Sequence, residues 1–343
     1  MLNPRHKLVI YAEGSMGTLF SKMAEGVLRY SQNPIVAVID SKKAGKTVRE
    51  VCKIDKDIPI FAEVQSAISL GAQVMVLGTA PSGGRLPKPW LEMLEDAISK
   101  GISIVNGLHD SVYDLYAKEL KDDQWIWDIR KPIGEPPIIG AARANKLFNK
   151  RVLMIGTDMA VGKMTAGLEL TKSLLDLKID AKFLATGQTG ICISGAGIPL
   201  DAFKVDHASG AVEEMVLKHR KTDVVVIEGQ GSLLNPGSTA TLPLMRGSCP
   251  NNMILCHRFG LEQVESETEV NIPPLKEVIN LNESLVSSLG LFSSAKVMGI
   301  ALDTRKLDDN MAKSELQRIE DELSLPATDP VRFGCKNLAD AII

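Results

Sequence analysis

A glycine-rich loop between an apolar segment and a helical one constrains the fold of this chain more than any other feature. The apolar segment Arg151–Ile155 runs into Gly156-Thr-Asp-Met-Ala-Val-Gly162-Lys163-Met164-Thr165, and a helical pattern continues to Leu177. A strand, a glycine loop ending in Gly-Lys and a helix together identify a phosphate-binding P-loop. Backbone N–H groups ring the anion, the helix dipole points its positive end at it, and Lys163 adds a charge.

Two positions depart from the common P-loop pattern. Five residues separate Gly156 from Gly162, and Met164 follows the lysine where Ser or Thr is usual. That hydroxyl normally ligates Mg²⁺, and a thioether is a poor ligand for an ion that prefers oxygen. The sequence therefore favours phosphate binding over metal-dependent hydrolysis, and we expect Mg²⁺ only if the ligand is ATP. The residues predicted to bind the cofactor are Gly156, Thr157, Asp158, Ala160, Val161, Gly162, Lys163, Met164 and Thr165.

Short apolar runs alternate with longer amphipathic stretches along the chain, a pattern typical of α/β proteins with parallel sheets. The predicted strands are Leu8–Tyr11, Ile35–Ile39, Val74–Leu77, Ile102–Val105, Arg151–Ile155, Ala181–Ala185, Val224–Ile227, Met253–Cys256 and Val297–Leu302. The predicted helices are Thr18–Tyr30, Ala62–Leu70, Pro89–Lys100, Lys163–Leu177, His207–Lys218, Pro274–Leu289 and Asn310–Leu323.

Proline and glycine cluster between Lys131 and Lys150, and such residues interrupt regular structure. We place a domain boundary within residues 128–144. The prediction is an α/β fold with a Rossmann-like parallel-sheet domain over residues 1–140. A P-loop NTPase-like three-layer α/β/α domain follows over residues 141–343.

Composition limits the kinds of partner. Aromatic residues are 4% of the chain and the net charge is −3, so neither stacking platforms nor a basic surface for nucleic acid is indicated. The five cysteines form no C-x-x-C pair, which indicates reduced thiols and no metal site. The polar start of the chain and the lack of a long apolar run predict no signal peptide and no membrane span. We expect a cytoplasmic homo-oligomer that acts on a small molecule.

The loop spelling Gly-Thr-Asp-x-x-Val-Gly-Lys resembles the dethiobiotin synthetase branch of P-loop proteins, which uses this longer loop. The segment Asp223–Ser232 is similar to the strand of that branch that ends in Glu-Gly. The resemblance implies that Glu228 faces the phosphates through Mg²⁺ or water, and we predict that it is catalytic. The alternative is a solvated strand terminus.

Two further segments near the predicted strand ends suggest substrate contacts or acid–base chemistry. Small residues and hydroxyls after Ala181–Ala185 suit close approach of the backbone to a substrate, although a plain turn is the alternative. Asp206 and His207 are candidates for an acid–base pair, and Asp206 alone is also typical of a helix N-cap. The predicted substrate-binding residues of this half are Thr186, Gly187, Gln188, Thr189, Gly190, Gly229 and Gln230.

The first half has a weaker glycine turn after Leu8–Tyr11, and Asp40 ends the next strand where a ribose-binding acid lies in dinucleotide folds. A structural Rossmann-like domain without a dinucleotide is the favoured interpretation. Gly83, Gly84 and Arg85 follow Val74–Leu77, and they suit either a carboxylate or phosphate site or a flexible loop.

These motifs together resemble a two-domain family of largely uncharacterised P-loop proteins, in which some members are assigned as D-glutamate N-acetyltransferases. The resemblance covers most of the chain and includes Gly78–Gly84, Asn106–His109 and Asp128–Arg130. It implies acetyl-CoA as the cofactor and an amino acid as the substrate.

Three functions are consistent with these motifs. The first is an N-acyltransferase whose P-loop holds the pyrophosphate of CoA, which needs no Mg²⁺. The second is an ATP-dependent enzyme that activates a small carboxylate, with Glu228 positioning Mg²⁺. The third is an ATP-binding regulator without catalysis. The identity of the residue at position 164 and the family resemblance favour the first.

Overall fold

The computed structural model describes residues 2–79, 81–132, 139–238, 240–265, 269–288 and 290–343. The chain divides into two compact units. The first comprises Met1–Ile133 and Gln188–Ala202, and the second comprises Gly134–Gly187 and Phe203–Ile343. The predicted boundary segment includes residues 133–138, which lie outside the described residues. Residues 188–202 belong to the first unit although they come after the predicted division at residue 140. This segment of the P-loop half packs with the first unit.

The first unit is a parallel sheet covered by helices. Its strands are β1 (Leu8–Tyr11), β2 (Ile35–Ile39), β3 (Ile60–Phe61), β4 (Val74–Leu77), β5 (Ser103–Asn106) and β6 (Ile126–Asp128). Its first helices are α1 (Lys22–Tyr30), α2 (Val48–Cys52), α3 (Val64–Ser69), α4 (Trp90–Ser99) and α5 (Val112–Tyr116). The sheet order is β3-β2-β1-β4-β5-β6 with every pair parallel, as predicted for a Rossmann-like domain.

The second unit is also a parallel sheet, and it contains the P-loop. Its strands are β7 (Lys150–Gly156), β8 (Ala181–Leu184), β9 (Val224–Ile227), β10 (Asn252–Arg258), β11 (Lys296–Asp303) and β12 (Ala327–Thr328). The remaining helices of the chain are α6 (Lys163–Asp176), α7 (Gln188–Ser194), α8 (Val205–Lys218), α9 (Thr241–Ser248), α10 (Leu275–Ser287), α11 (Asp309–Leu323), α12 (Pro330–Phe333) and α13 (Lys336–Ile342), of which α7 belongs to the first unit. The sheet order is β12-β11-β10-β7-β9-β8.

Burial explains why the central strands were predictable. The strands β1, β4 and β9 are buried at every residue, as expected for a parallel sheet with helices on both faces. Their apolar runs are therefore continuous and easily recognised. The edge strands β3 and β12 have only two residues each and were not predicted, because so short a run carries no periodic signal.

Candidate functional site

The P-loop leaves the carboxyl end of β7 and enters α6, as predicted. Gly162 is the N-cap of α6 with φ +95°, a backbone conformation that side chains rarely adopt. A Cβ at Gly156 would lie 2.8 Å from Val161 Cγ2 and 3.0 Å from Lys163 Nζ, so the lysine passes directly over the strand end. Gly162 therefore permits the turn, and Gly156 permits the close approach of Lys163.

The start of α6 is built to accept an anion. No side chain of the described residues caps the helix, so its first-turn amides lack the usual side-chain acceptor among them. Lys163 is buried and donates to the carbonyl oxygen of Asp158 at 2.7 Å. Burial lowers the pKa of Lys163 to about 8. Met164 and Thr165 are only partly buried in the same turn, and no hydroxyl occupies position 164.

Asp158 shapes the loop with its carboxylate. Its side chain is fully buried, and Oδ1 accepts from Met159 N and from Asn235 Nδ2, both at 2.6 Å. Oδ2 accepts from Glu265 N at 2.6 Å. Because these donors come from three places along the chain, Asp158 joins the loop to the segments that cover it. The predicted contact of Asp158 with the cofactor stays a prediction.

A hydroxyl and an imidazole join the P-loop to β10, the neighbouring strand. Thr157 Oγ1 lies 2.8 Å from His257 Nδ1, and the Ser232 hydroxyl donates to Thr157 O at 3.0 Å. Burial, with a smaller contribution from the charge of Arg258, lowers the pKa of His257 to about 4, so the ring is neutral at pH 7. Sequence reasoning missed His257 and Asn235. The sequence contains one signal for His257, because this polar residue directly follows the predicted strand Met253–Cys256.

Glu228 lies at the carboxyl end of β9, next to the P-loop strand. It is 4% exposed, which rules out the alternative of a solvated strand terminus. Oε2 accepts from Thr186 N at 2.8 Å and from Gly187 N at 3.0 Å. Burial raises the pKa of Glu228 to about 7, and this effect outweighs the two amides and Lys163, which favour the charged form. A carboxyl that titrates near neutrality is suited to accept and return a proton.

Two glycines beside Glu228, Gly229 and Gly187, let the backbone pack tightly. A Cβ at Gly229 would lie 1.7 Å from Met154 O and 2.8 Å from Lys163 Cδ. A Cβ at Gly187 would lie 2.4 Å from Gln230 Nε2. The amides of Thr186 and Gly187 are bound by Glu228, so their role in substrate binding stays a prediction that would use other atoms of these residues.

The structure divides the predicted substrate segment between the two units. Thr186 and Gly187 follow β8 in the second unit, whereas Gln188, Thr189 and Gly190 begin α7 in the first unit. The last three residues therefore form a helix and not the plain turn that was the alternative. Gln188 packs against Gly107, where a Cβ would lie 3.2 Å from Gln188 Cγ. Their contact with a substrate stays a prediction.

The remaining predicted site residues lie on a helix and on a loop. Asp206 is exposed and His207 half-buried in the first turn of α8, whose N-cap is Lys204, so the N-cap prediction for Asp206 is wrong. Consecutive helical side chains do not face each other, which does not favour a pair, and both catalytic roles stay predictions. Gly83 and Gly84 both have positive φ, and Arg85 forms an ion pair with Asp110 at 2.9 Å.

Among the described residues, no group of three or more His, Cys, Asp or Glu side chains is arranged to hold a metal ion. No helix in the described ranges is long and apolar enough to cross a membrane.

Two family models and a solved structure match this two-domain architecture. The family model described as "Domain of unknown function (DUF1611_C) P-loop domain" matches residues 138–339, and the DUF1611_N Rossmann-like domain model matches residues 41–132. The crystal structure of a DUF1611 family protein from Anabaena variabilis ATCC 29413 has a TM-score of 0.94 and 44% identity over 98% of this chain and 99% of that chain.

Two curated relatives carry the name D-glutamate N-acetyltransferase. The relative from a Pseudoalteromonas species is 34% identical over 79% of this chain and 82% of its own length. The relative from Tritonibacter scottomollicae is 33% identical over 81% of this chain and 84% of its own length. On these matches, which extend over both units, the chain belongs to the DUF1611 family, which joins a Rossmann-like domain to a P-loop domain.

Proposed function

We propose that this protein is an N-acyltransferase that moves an acetyl group from acetyl-CoA to the amino group of a small amino acid such as D-glutamate. The observation that carries the proposal is a buried carboxyl, Glu228, with a pKa raised to about 7 at the strand end beside the P-loop. The names of the two curated relatives support the reaction class.

The residues of the P-loop fit the diphosphate of CoA. The uncapped start of α6 offers amide donors, and Lys163 offers an ammonium group that the ligand would draw from Asp158 O. A Cβ at Gly162 would meet none of the described residues within 4 Å, which leaves space among them over the turn. The methionine at position 164 is compatible with this ligand, because holding a diphosphate for acyl transfer requires no Mg²⁺ ligand at that position.

Glu228 has the properties of a general base in this reaction. An amine attacks a thioester carbonyl only in its neutral form, so a group must take up its proton. Within the described residues, both backbone donors to Glu228 bind Oε2, which leaves Oε1 for the substrate. CoA, when bound, supplies the activated acetyl group as its thioester.

Calorimetry with acetyl-CoA and with Mg·ATP tests the choice of cofactor. We expect acetyl-CoA to bind and Lys163→Ala to weaken that binding by about tenfold to a hundredfold, because a charged donor to the phosphates is lost. Lys172→Ala, an exposed lysine on the same helix, is the matched control and keeps wild-type affinity. Turnover of Mg·ATP to ADP without binding of acetyl-CoA would refute the proposal in favour of an ATP-dependent enzyme.

The pH dependence of CoA release with D-glutamate tests the role of Glu228. We expect kcat/KM to rise with pH and to level off above about 7, where the carboxyl is ionised. Glu228→Gln should remove this rise of kcat/KM with pH, together with most of the activity. A variant that retains wild-type activity and pH profile would exclude Glu228 as the base.

A further inference from the structure

A buried arginine lies beside the P-loop, and the proposed function gives it no role. The register of the sheet pairs Cys256 of β10 with Gly156, the last residue of β7, and Arg258 comes two residues after Cys256. Arg258 therefore lies beyond the end of β7, at the level of the loop. This is the carboxyl edge, where open parallel sheets bind their ligands. Even so, the side chain of Arg258 is only 10% exposed.

The guanidinium group of Arg258 has donors that the described residues leave unused. Its Nε and Nη2 are buried, and neither has a hydrogen-bond partner among those residues. Nη2 lies 2.9 Å from Glu265 Oε2 as an ion pair, but the two groups are not aligned as a hydrogen bond. The carboxylate thus balances the charge of Arg258 and leaves its N–H groups for another acceptor, which buried donors normally have.

A second buried arginine of the same sheet shows what a structural role looks like. Arg151 lies at the opposite end of β7 and is 2% exposed. Its Nε donates to two backbone carbonyl oxygens and its Nη1 to two more, at 2.8 to 3.1 Å. Carbonyl groups therefore satisfy these donors of Arg151, whereas the fold supplies no such acceptors for Nε and Nη2 of Arg258 within the described part of the chain.

Glu265 connects Arg258 to the P-loop. The amide of Glu265 donates to Asp158 Oδ2 at 2.6 Å, and its side chain, which is 44% exposed, pairs with Arg258. The carbonyl oxygen of Asp158 accepts from Lys163. Two cations thus lie next to the same loop residue, Lys163 held by a carbonyl oxygen and Arg258 by a carboxylate.

We propose that Arg258 is a second phosphate-binding residue of the P-loop site and that Glu265 pairs with it until a diphosphate binds. The inference rests on the phosphate-binding part of the proposed function, to which it adds a residue and a displacement. A guanidinium group binds phosphate oxygens through two parallel N–H groups, and its weak hydration suits a buried position. The diphosphate repels the carboxylate of Glu265, which turns to the solvent that it already contacts.

Calorimetry of the full chain with inorganic pyrophosphate, without a metal ion, tests the role of Arg258. Arg258→Gln should weaken pyrophosphate binding about tenfold or more, because a charge-assisted contact is lost. Arg318→Gln is the matched control, since Arg318 is an exposed arginine of the same unit that also pairs with glutamates. We expect that control to bind pyrophosphate as the wild type does.

Glu265→Gln should change the affinity in the opposite direction. Without the carboxylate, no ion pair has to be displaced, so pyrophosphate should bind about threefold to tenfold more tightly. The variant keeps the amide that donates to Asp158. Glu262→Gln, at an exposed glutamate of the same segment, controls for the loss of one negative charge and should keep wild-type affinity. If Arg258→Gln does not fold, these two variants still decide, because a purely structural ion pair predicts no gain of affinity.

Acetyl-CoA binding separates this inference from the proposed function. Wild-type affinity for pyrophosphate in folded Arg258→Gln or in Glu265→Gln would overturn the inference, and so would a wild type that does not bind pyrophosphate. In each case, acetyl-CoA binding that depends on Lys163 would leave the proposed function standing. Pyrophosphate binding that depends on Arg258, in a protein that does not bind acetyl-CoA, would refute only the proposed function.

Discussion

Glu228 and Lys163 show how burial sets the chemistry of single residues. Both side chains lie at the carboxyl edge of the P-loop sheet, and burial is the main cause of each pKa shift, upward for the acid and downward for the base. Each shift brings the residue closer to neutrality at physiological pH. In the proposed reaction, the charges of both groups would therefore change between about pH 7 and pH 8.

The pKa of Glu228 predicts a pH-dependent stability. A carboxyl with a raised folded-state pKa contributes stability below its unfolded pKa of 4.5, and this contribution is lost as pH rises through about 7. Glu228→Gln should therefore raise the free energy of unfolding at pH 8, by up to about 3 kcal/mol, since one pKa unit corresponds to about 1.4 kcal/mol. At pH 4.5 we expect a much smaller change.

Urea denaturation at pH 4.5 and pH 8 measures this difference. Glu262→Gln, an exposed glutamate of the same unit, is the control and should show little change at either pH. An equal effect of Glu228→Gln at both pH values would contradict the prediction.

At the scale of elements, the site depends on backbone contacts between β7 and the turn after β9. Gly229 passes so close to Met154 O that no side chain fits, and the same turn carries Glu228 and Gln230. The turn thereby holds the carboxyl near the strand that leads into the P-loop. The close packing is a property of the pair of strands, since Met154 belongs to β7.

Gly229→Ala should destabilise the second unit strongly. A Cβ 1.7 Å from a backbone oxygen must push the turn away from β7, which we expect to cost about 3 kcal/mol or more. Gly237→Ala is a matched control, because Gly237 also has no positive φ. Among the described residues its Cβ would meet Asn235 Oδ1 alone, at 3.2 Å. We expect about 1 kcal/mol or less there. Similar midpoints of chemical denaturation for the two variants would show that the turn adapts.

At the scale of the whole molecule, the burial of the cysteine thiols shows how well the cores of both units exclude solvent. Cys52 is half-buried, and Cys192, Cys249, Cys256 and Cys335 are buried. Burial raises the pKa of all five thiols, to about 11 for Cys52 and about 12 for Cys192 and Cys256. The reactive thiolate is therefore scarce at physiological pH even where a thiol is reached by solvent.

This predicts that the native protein reacts slowly with a thiol reagent at pH 8. Cys52 should react first and the other four only as the protein opens, whereas in denaturant all five should react at the rate of a free thiol. Following the absorbance of the released chromophore measures both the rates and the number of thiols. Fast modification of more than one thiol in the folded protein would show that a core is open.

Much of the fold was predictable because many of its strands and turns have a recognisable pattern in adjacent residues of the sequence. The strands Leu8–Tyr11 and Val224–Ile227 were predicted with the observed bounds, since a fully buried parallel strand is a continuous apolar run. The short strands β3, β6 and β12 were missed, and so were several short helices, α7 among them. Their structure depends on the neighbours against which they pack, which periodicity does not reveal.

The sequence by itself determined the P-loop, from the order of strand, glycine loop and helix. It also identified Glu228 as an acidic residue at the end of a later strand. Only the tertiary structure decided what surrounds these residues. It brings His257 and Asn235 to the loop, buries Glu228 until its pKa approaches 7, and places α7 in the first unit. The physical reason is that hydrogen bonding to distant segments and desolvation depend on how the chain packs in three dimensions, whereas a turn and a strand depend on adjacent residues.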